Sequence, residues 1–322
     1  MGTSQPIPGR IVWENNYRRK MTLDIWDKRL TNLISPDESA VRLAAGFAFT
    51  EGPLWAEGTL FFSDIPNDRI ARLSLQAEGP EVTTYSLGNC NGLAWSSDGA
   101  VLVAEHGGRR ISRVSISGKR ETLMDRFEGG RLNSPNDITT ARDGAIYFTD
   151  PPYAVYHDRS LQEVPDWWAQ PIPGKEQPFN GVYRLSADGV ATLLIRDMAL
   201  PNGLALSPDE SHLYVADSHH SHIRSFRIND DGSVSDEGLV LQFTSEDPGI
   251  ADGLTVDEGG AIFATGPGGV WVCTPKGETL GCIRLPEQPS NLAWGEDGSF
   301  LYLTARSSVY RLKTLTRGQV PG

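Results

Sequence analysis

Three scarcities constrain the chain before any motif is read. Only three cysteines occur in 322 residues, Cys90, Cys273 and Cys282. An odd number in a long chain excludes a disulfide framework as the basis of stability. Cys273 and Cys282 flank the turn Thr274-Pro275-Lys276-Gly277 and could face each other across a hairpin, but buried free thiols are the favoured reading. No apolar run approaches the ~20 residues that a bilayer requires, and no apolar stretch near the N-terminus has the form of a secretory signal. A cytoplasmic location is therefore expected. Bases are outnumbered by acids, 29 against 41, for a net charge of −12. Such a surface repels phosphate backbones and anionic lipid, which argues against nucleic acid and membrane as partners and leaves room for a bound cation.

Glycine and proline, by contrast, are plentiful at 34 and 21 residues. That is roughly a sixth of the chain where about an eighth is usual, so many turns and few long helices are expected. With 39% hydrophobic and 9% aromatic residues the composition is that of a globular protein.

One phrase recurs six times: a polar residue, a small residue and an apolar pair, then a Gly/Asp turn and an apolar strand. The copies begin at Glu51, Asn91, Asn136, Asn202, Asp252 and Ser290, spaced 40, 45, 66, 50 and 38 residues apart. Their second strands are Leu60-Phe61-Phe62-Ser63-Asp64, Val101-Leu102-Val103-Ala104-Glu105, Ile146-Tyr147-Phe148-Thr149-Asp150, Leu213-Tyr214-Val215-Ala216-Asp217, Ile262-Phe263-Ala264-Thr265-Gly266 and Leu301-Tyr302-Leu303-Thr304-Ala305. A spacing of ~40–50 residues suits the four-stranded blades of a propeller. The expected fold is all-β, a six-bladed β-propeller, in which Val41-Arg42-Leu43-Ala44-Ala45 completes the last blade and removes its open edge. Residues 1–40 read as an extension whose first ~20 residues are open to disorder, 41–314 as one propeller, and 315–322 as a tail. Arg18-Arg19-Lys20 reads as a solvated charge cluster, and Met21 is a second candidate for the natural start.

In a propeller the first strand of each blade lines the channel and the second returns beside it. The start of one and the end of the other therefore meet at a single face. The first position holds Glu51, Asn91, Asn136, Asn202, Asp252 and Ser290, each with a side-chain oxygen. The second holds Asp64, Glu105, Asp150, Asp217, Gly266 and Ala305. Acids crowded at a channel mouth raise one another's pKa, and a cation relieves the conflict. Oxygen donors without Cys or His in the register favour Ca²⁺, Mg²⁺ or Mn²⁺, with Zn²⁺ less typical. Asn-Gly and Asp-Gly also recur as turn dipeptides, but turn chemistry does not explain the acids at Glu51 and Asp252.

The segments Thr50-Glu51-Gly52-Pro53-Leu54-Trp55, Glu105-His106-Gly107-Gly108-Arg109-Arg110, Arg131-Leu132-Asn133-Ser134-Pro135-Asn136-Asp137, Tyr147-Phe148-Thr149-Asp150-Pro151-Pro152-Tyr153 and Pro201-Asn202-Gly203-Leu204 resemble the senescence-marker-protein/gluconolactonase family, above all its bacterial gluconolactonases. The resemblance runs from about Val41 to Leu312. It implies one catalytic divalent ion, Ca²⁺ first among the candidates, held by Glu51, Asn202 and Asp252, with Asn136 as a further ligand or a substrate contact. The repeat register selects the same four positions. Regucalcin-like members carry Arg-x-Asn with that Asn at the site, whereas here Arg131 to Asn133 falls three residues before the register position.

The expected activity is metal-dependent opening of a sugar-type (aldono-) lactone or a related lactone, with Asp252 accepting a proton from the attacking water. His106, Asp150, Tyr153 and Asn91 are the candidate substrate contacts. Asp150 precedes two prolines and has the alternative role of capping their turn. The 66-residue spacing places extra residues of about 151–180 on the same face, where Tyr153, Tyr156, Trp167, Trp168 and Phe179 either form a lid over the substrate or pack a long loop. The run His219-His220-Ser221-His222 has the composition of a zinc site but no partner in the register, and reads as loop decoration. Alternatives are an aryl-ester or phosphotriester hydrolase, and a noncatalytic propeller that a metal stabilises and that binds a partner. A monomer or a homodimer is compatible with the sequence.

Overall fold

In the computed structural model, which describes residues 12–18, 21–75, 81–83, 88–115, 117–155, 168 and 171–320, the six repeats form six antiparallel sheets. The innermost strands are Thr50–Ala56, Cys90–Trp95, Ile138–Thr140, Pro201–Leu206, Leu254–Val256 and Asn291–Gly295. Blades one to four are four-stranded sheets in simple meander order. In the sixth blade Val41–Ala45 pairs antiparallel with Ser308–Lys313, so chain beginning and chain end share one sheet. Two further strands extend the outer edges: Thr22–Ile25 pairs with Thr279–Arg284 of the fifth blade, and Val12–Arg18 pairs with Val41–Ala45. Among the described residues no helix is long and apolar enough to cross a membrane.

Strands here are apolar on both faces because each sheet is wedged between two others. Successive side chains point to opposite faces, and the packing follows that period. Leu54 and Ala56 pack toward the second blade, while Trp55 between them packs toward the sixth. Val101 and Val103 face the first blade, and Leu102 and Ala104 face the third. The core is accordingly six wedges between neighbouring blades. In the wedge between the sixth and first blades Trp55 stacks on Tyr302, with ring centroids 4.9 Å apart.

Around the channel, a ring of hydrogen bonds passes from blade to blade. Ser63 Oγ donates to the Asn91 carbonyl at 2.6 Å, the Gly92 amide to Asn136 at 2.8 Å, and Thr149 Oγ1 to Asn202 at 2.7 Å. Gly203 then donates to Asp252, Gly253 to Ser290, and Ser290 Oγ back to Thr50, at 3.2, 2.8 and 2.8 Å. Buried backbone oxygens near the axis are thus satisfied across blade boundaries. Inner strands can approach so closely because glycine follows the first register position in four blades. A Cβ on Gly92 would lie 2.7 Å from both the Asn136 carbonyl oxygen and Asp137 Cα.

The three cysteines are free and buried. Cys273 and Cys282 lie on adjacent strands but out of register, Cys273 opposite Thr279 and Cys282 opposite Trp271.

Candidate active site at the channel mouth

Glu51, Asn91, Asn136, Asn202, Asp252 and Ser290 open their blades at one end of the channel. In the first, second and fourth blades the pairing register shifts at this point, between Glu51 and Leu54, Cys90 and Leu93, and Pro201 and Leu204. Such bulges bend a strand and re-aim its side chains. Gly52 takes φ +51°, a left-handed conformation that suits glycine.

Glu51, Asn136 and Asn202 are 4%, 7% and 4% exposed. Asp252 is also deep in the protein, yet keeps part of its surface open to solvent. Glu51 Oε2 accepts from the Gly52 amide at 2.7 Å and from Asn291 Nδ2 at 3.0 Å. Asn202 donates from Nδ2 to Ser218 Oγ at 2.9 Å and bonds Asp252 as well. Ser218 Oγ donates in turn to the Ala251 carbonyl at 2.6 Å, which fixes the residue before Asp252. Tyr153 reaches the same group from the long third-blade insertion, its hydroxyl beside Ser218 and Asn202.

Beneath this ring lie two residues that the first register position does not single out. At the second register position four blades carry glycine, and the other two carry Asp137 and Asn291. Asn291 Nδ2 lies 3.3 Å from Asp137 Oδ2, and the Ile138 amide donates to Asp137 Oδ1 at 2.9 Å. Three carboxylates therefore share the channel. Burial raises the pKa of Glu51 well above its ordinary value, and repulsion from Asp252 and then Asp137 adds to the rise. Asp252 is raised by burial and by Asp137, and Asp137 is pushed up to about 6 by burial. No cationic side chain acts on any of the three among the described residues. The departure from ordinary turn chemistry, glycine replaced by Asp137 and Asn291, is the signal that would have found this layer.

The second-strand acids, expected to crowd the same mouth, do something else. Asp64 accepts from the Ala48 and Phe49 amides and from Arg69. Asp217 accepts from the Ala199 and Leu200 amides, and Glu105 pairs with Arg110. Asp150 is fully buried, and its two oxygens each accept an amide, from Asn133 and Ser134, at 2.8 Å. Burial nevertheless raises its pKa to about 7. Asp64, Asp150 and Asp217 staple the loops that enter their blades, whereas Glu105 ties the third strand of its own blade through Arg110. Asn133, from the early Arg-x-Asn, belongs to the same staple, its Nδ2 donating to the Asp150 and Phe179 carbonyls at 3.0 Å each.

His106 stands on the loop of the second blade with its ring nearly parallel to Tyr153, centroids 6.4 Å apart. Burial pushes its pKa down to about 4, so the imidazole is neutral at pH 7. Both His106 Nδ1 and Asn91 Oδ1 are buried with no hydrogen-bond partner among the described residues. Of the insertion aromatics, Tyr156 and Trp167 fall outside the described residues. Trp168 packs on Val155, Ile172 and Leu200, and Phe179 packs into the wedge between the second and third blades. A cavity of about 1170 Å³ opens at the opposite end of the channel, lined by Trp95, Asp98, Glu258 and Gln319, away from all these groups.

Residues 49–307 match the SMP-30/Gluconolactonase/LRE-like region. The chain belongs to this family. It is a gluconolactonase-like enzyme. It is 35% identical to a gluconolactonase of Zymomonas mobilis over 300 residues, covering 86% of this chain and 81% of that protein. A pentonolactonase of Haloferax volcanii is 26% identical over 265 residues, 79% of this chain and 80% of its own. Among solved structures, a gluconolactonase of Xanthomonas campestris superimposes with a TM-score of 0.82 at 30% identity, covering 94% of this chain and 98% of that one.

Proposed function

We propose that this family member is a divalent-metal-dependent lactone hydrolase acting on sugar-type lactones, with Asp252 as the proton acceptor. The observation that carries the reading is the set of three buried carboxylates, Glu51, Asp137 and Asp252, with no cation to balance them.

The donor set fits a hard divalent ion. Both donors to Glu51 go to Oε2, which leaves Oε1 for a cation. Asn202 donates to Ser218 through Nδ2, and its amide oxygen is the atom it would offer the ion. With Asn136 and Asp252 these would hold the ion, and the all-oxygen set favours Ca²⁺ over Zn²⁺. Bound there, such an ion supplies charge neutralisation and polarises a carbonyl oxygen.

The chain's own residues supply the rest. Hydrolysis joins a water oxygen to the lactone carbonyl carbon and breaks the ring C–O bond. Asp252 takes the water proton, and the ring oxygen leaves carrying a proton returned from it. Asn202 keeps the Asp252 carboxylate oriented through the reaction, and a positioned base of this kind is worth ~10²–10⁴ in rate. Tyr153, neutral His106 and the unpartnered Asn91 Oδ1 offer hydrogen bonds without net charge, which suits the hydroxyls of a sugar ring. The free buried thiols fit a reducing, cytoplasmic setting.

The test is a pH-stat assay on sugar and non-sugar lactones and an aryl ester, after chelation and after return of Ca²⁺, Mn²⁺, Mg²⁺ or Zn²⁺. Acid release from aldonolactones that stops on chelation and returns with metal is the expected result. Turnover that survives complete metal removal, or that is confined to the aryl ester, overturns the reading.

A further inference from the structure

In sequence the run His219-His220-Ser221-His222 lacks a partner, and the structure supplies one. His222 begins the third strand of the fourth blade directly opposite Asp217, the last residue of the second strand. The four-residue loop between them turns through Ser221 at φ +56° and folds His220 back over the pair. One ligand atom each of Asp217, His220 and His222 then lies within 4.8 Å of the other two. Among the described residues no other three Asp, Glu, His or Cys side chains meet this way.

We infer that Asp217, His220 and His222 form a second metal site, distinct from the channel site and selective for a borderline divalent cation of the zinc class. Four features support it. Asp217 is held rigid by amides from Ala199, Leu200, His219 and His220, at 2.8 to 3.2 Å. His220 Nδ1 lies 3.0 Å from Asp217 Oδ2, close to the separation of two ligand atoms on one ion. His222 Nε2 is buried with no hydrogen-bond partner among the described residues. The His220 and His222 rings lie nearly parallel, centroids 5.4 Å apart, and the His220 side chain is 46% exposed, so an ion has an entry path.

Metal–nitrogen bonds of ~2.0–2.1 Å place tetrahedral ligand atoms about 3.4 Å apart. His220 Nδ1 and Asp217 Oδ2 already stand near that spacing at 3.0 Å, and all three ligand atoms lie within 4.8 Å, so small side-chain adjustments bring them to it. Two imidazoles and one carboxylate, with water completing the shell, suit Zn²⁺, Co²⁺ or Ni²⁺, whereas the all-oxygen channel set suits Ca²⁺. The site is also wired to the channel. Asp217 precedes Ser218, whose Oγ accepts from Asn202 and donates to the Ala251 carbonyl. An ion on Asp217 therefore rigidifies the turn that supports Asn202.

The test titrates chelated full-length protein with Zn²⁺ in saturating Ca²⁺, so that the oxygen site is already filled, and follows heat of binding and the visible absorption of Co²⁺ as a substitute probe. Wild type is expected to take up one equivalent of Zn²⁺ and to give the intense Co²⁺ bands of a four-coordinate centre. His222→Gln and, separately, His220→Gln are expected to weaken this binding by at least about tenfold, with Ca²⁺ binding unchanged. No Zn²⁺ uptake in saturating Ca²⁺ overturns the site, as does uptake that persists in both variants or is lost only in Glu51→Gln. Because His220 is half exposed, its variant remains informative if His222→Gln fails to fold.

Discussion

Asn291 bridges Glu51 and Asp137, its Nδ2 lying 3.0 Å from one carboxylate and 3.3 Å from the other. Among the described residues this neutral amide donates to two buried acids at once. It comes from the sixth blade and joins the first to the third across the axis. Asn291→Asp replaces that donor with a fourth carboxylate of nearly identical shape. The expected result is a protein whose stability depends more strongly on bound divalent metal. Thermal melts with and without chelator check it: the metal-dependent rise in Tm is expected to exceed that of wild type by several degrees, from about 1–3 kcal/mol of unsatisfied buried charge.

Asp252→Asn keeps the volume and the contact with Asn202 but removes the proton acceptor. A loss of ~10²–10⁴ in kcat is expected, with the fold retained. Measuring kcat and KM on an aldonolactone at saturating metal checks this, and near-wild-type turnover refutes the role.

Stability of the chelated protein carries a definite sign with pH. Glu51, Asp137 and Asp252 have folded-state pKa values raised above those of the unfolded chain. Groups of that kind favour the folded state while protonated, and their contribution is lost as pH rises through the folded values. For Asp137 the window runs from its ordinary 3.8 to about 6. Metal-free protein is therefore expected to lose stability from about pH 4 upward, each unit of raised pKa being worth about 1.4 kcal/mol. Metal favours the ionised acids and reverses the trend, since protons compete for the same oxygens. Melts across this range with chelator and with Ca²⁺ are expected to diverge as pH rises, and parallel curves would refute the cation role.

The fold was legible in the sequence because a propeller repeats its turn and strand chemistry six times, and register does the work of an alignment. Glu51, Asn202 and Asp252 stood out as the same position in different copies. Asp137 and Asn291 did not, because the position after the first is glycine in most blades and reads as a turn requirement. The second-strand acids misled for the opposite reason. Asp64, Asp150 and Asp217 recur in register, but recurrence does not distinguish a channel group from a loop staple, and only the amides that these acids accept in the fold separate them. His222 found its partner only across the hairpin, five residues from Asp217 in the chain. The inter-blade ring is equally silent in sequence, since Ser63 and Thr149 look like ordinary β-formers.

Glycines in the chain fall into two classes that substitution by alanine separates. At Gly92 a Cβ would meet the Asn136 carbonyl and Asp137, backbone and side chain alike, at 2.7 Å. Neither can retreat without opening the second and third blades. Gly92→Ala is expected to abolish soluble folding or to cost several kcal/mol. Gly189, at φ +86° in an exposed turn, has nothing within 4 Å of the point a Cβ would occupy. Gly189→Ala is expected to cost only about 1 kcal/mol, from backbone strain alone. Urea unfolding of the two variants checks the contrast, and similar midpoints would refute the close approach of the inner strands.

Thr149 ties the third blade to the fourth through a 2.7 Å hydrogen bond from Oγ1 to the Asn202 carbonyl, while its backbone remains in the ladder opposite Val182. Thr149→Val preserves the side chain's shape and β-branching but leaves that buried carbonyl without its donor. The expected cost is about 1–3 kcal/mol of stability, read as a lower urea midpoint with an unchanged slope. Asn202 lies in the same strand and bonds Asp252, so the variant is also expected to loosen the base. Its kcat should fall several-fold while KM changes less, because the His106 contact comes from the second blade. Asn180, whose Nδ2 donates to the Ala199 carbonyl at 2.6 Å, is a suitable control. Asn180→Leu is expected to lower stability by a similar amount with kcat retained, since Ala199 sits on the entering loop and its amide goes to Asp217 and not to Glu51, Asn202 or Asp252.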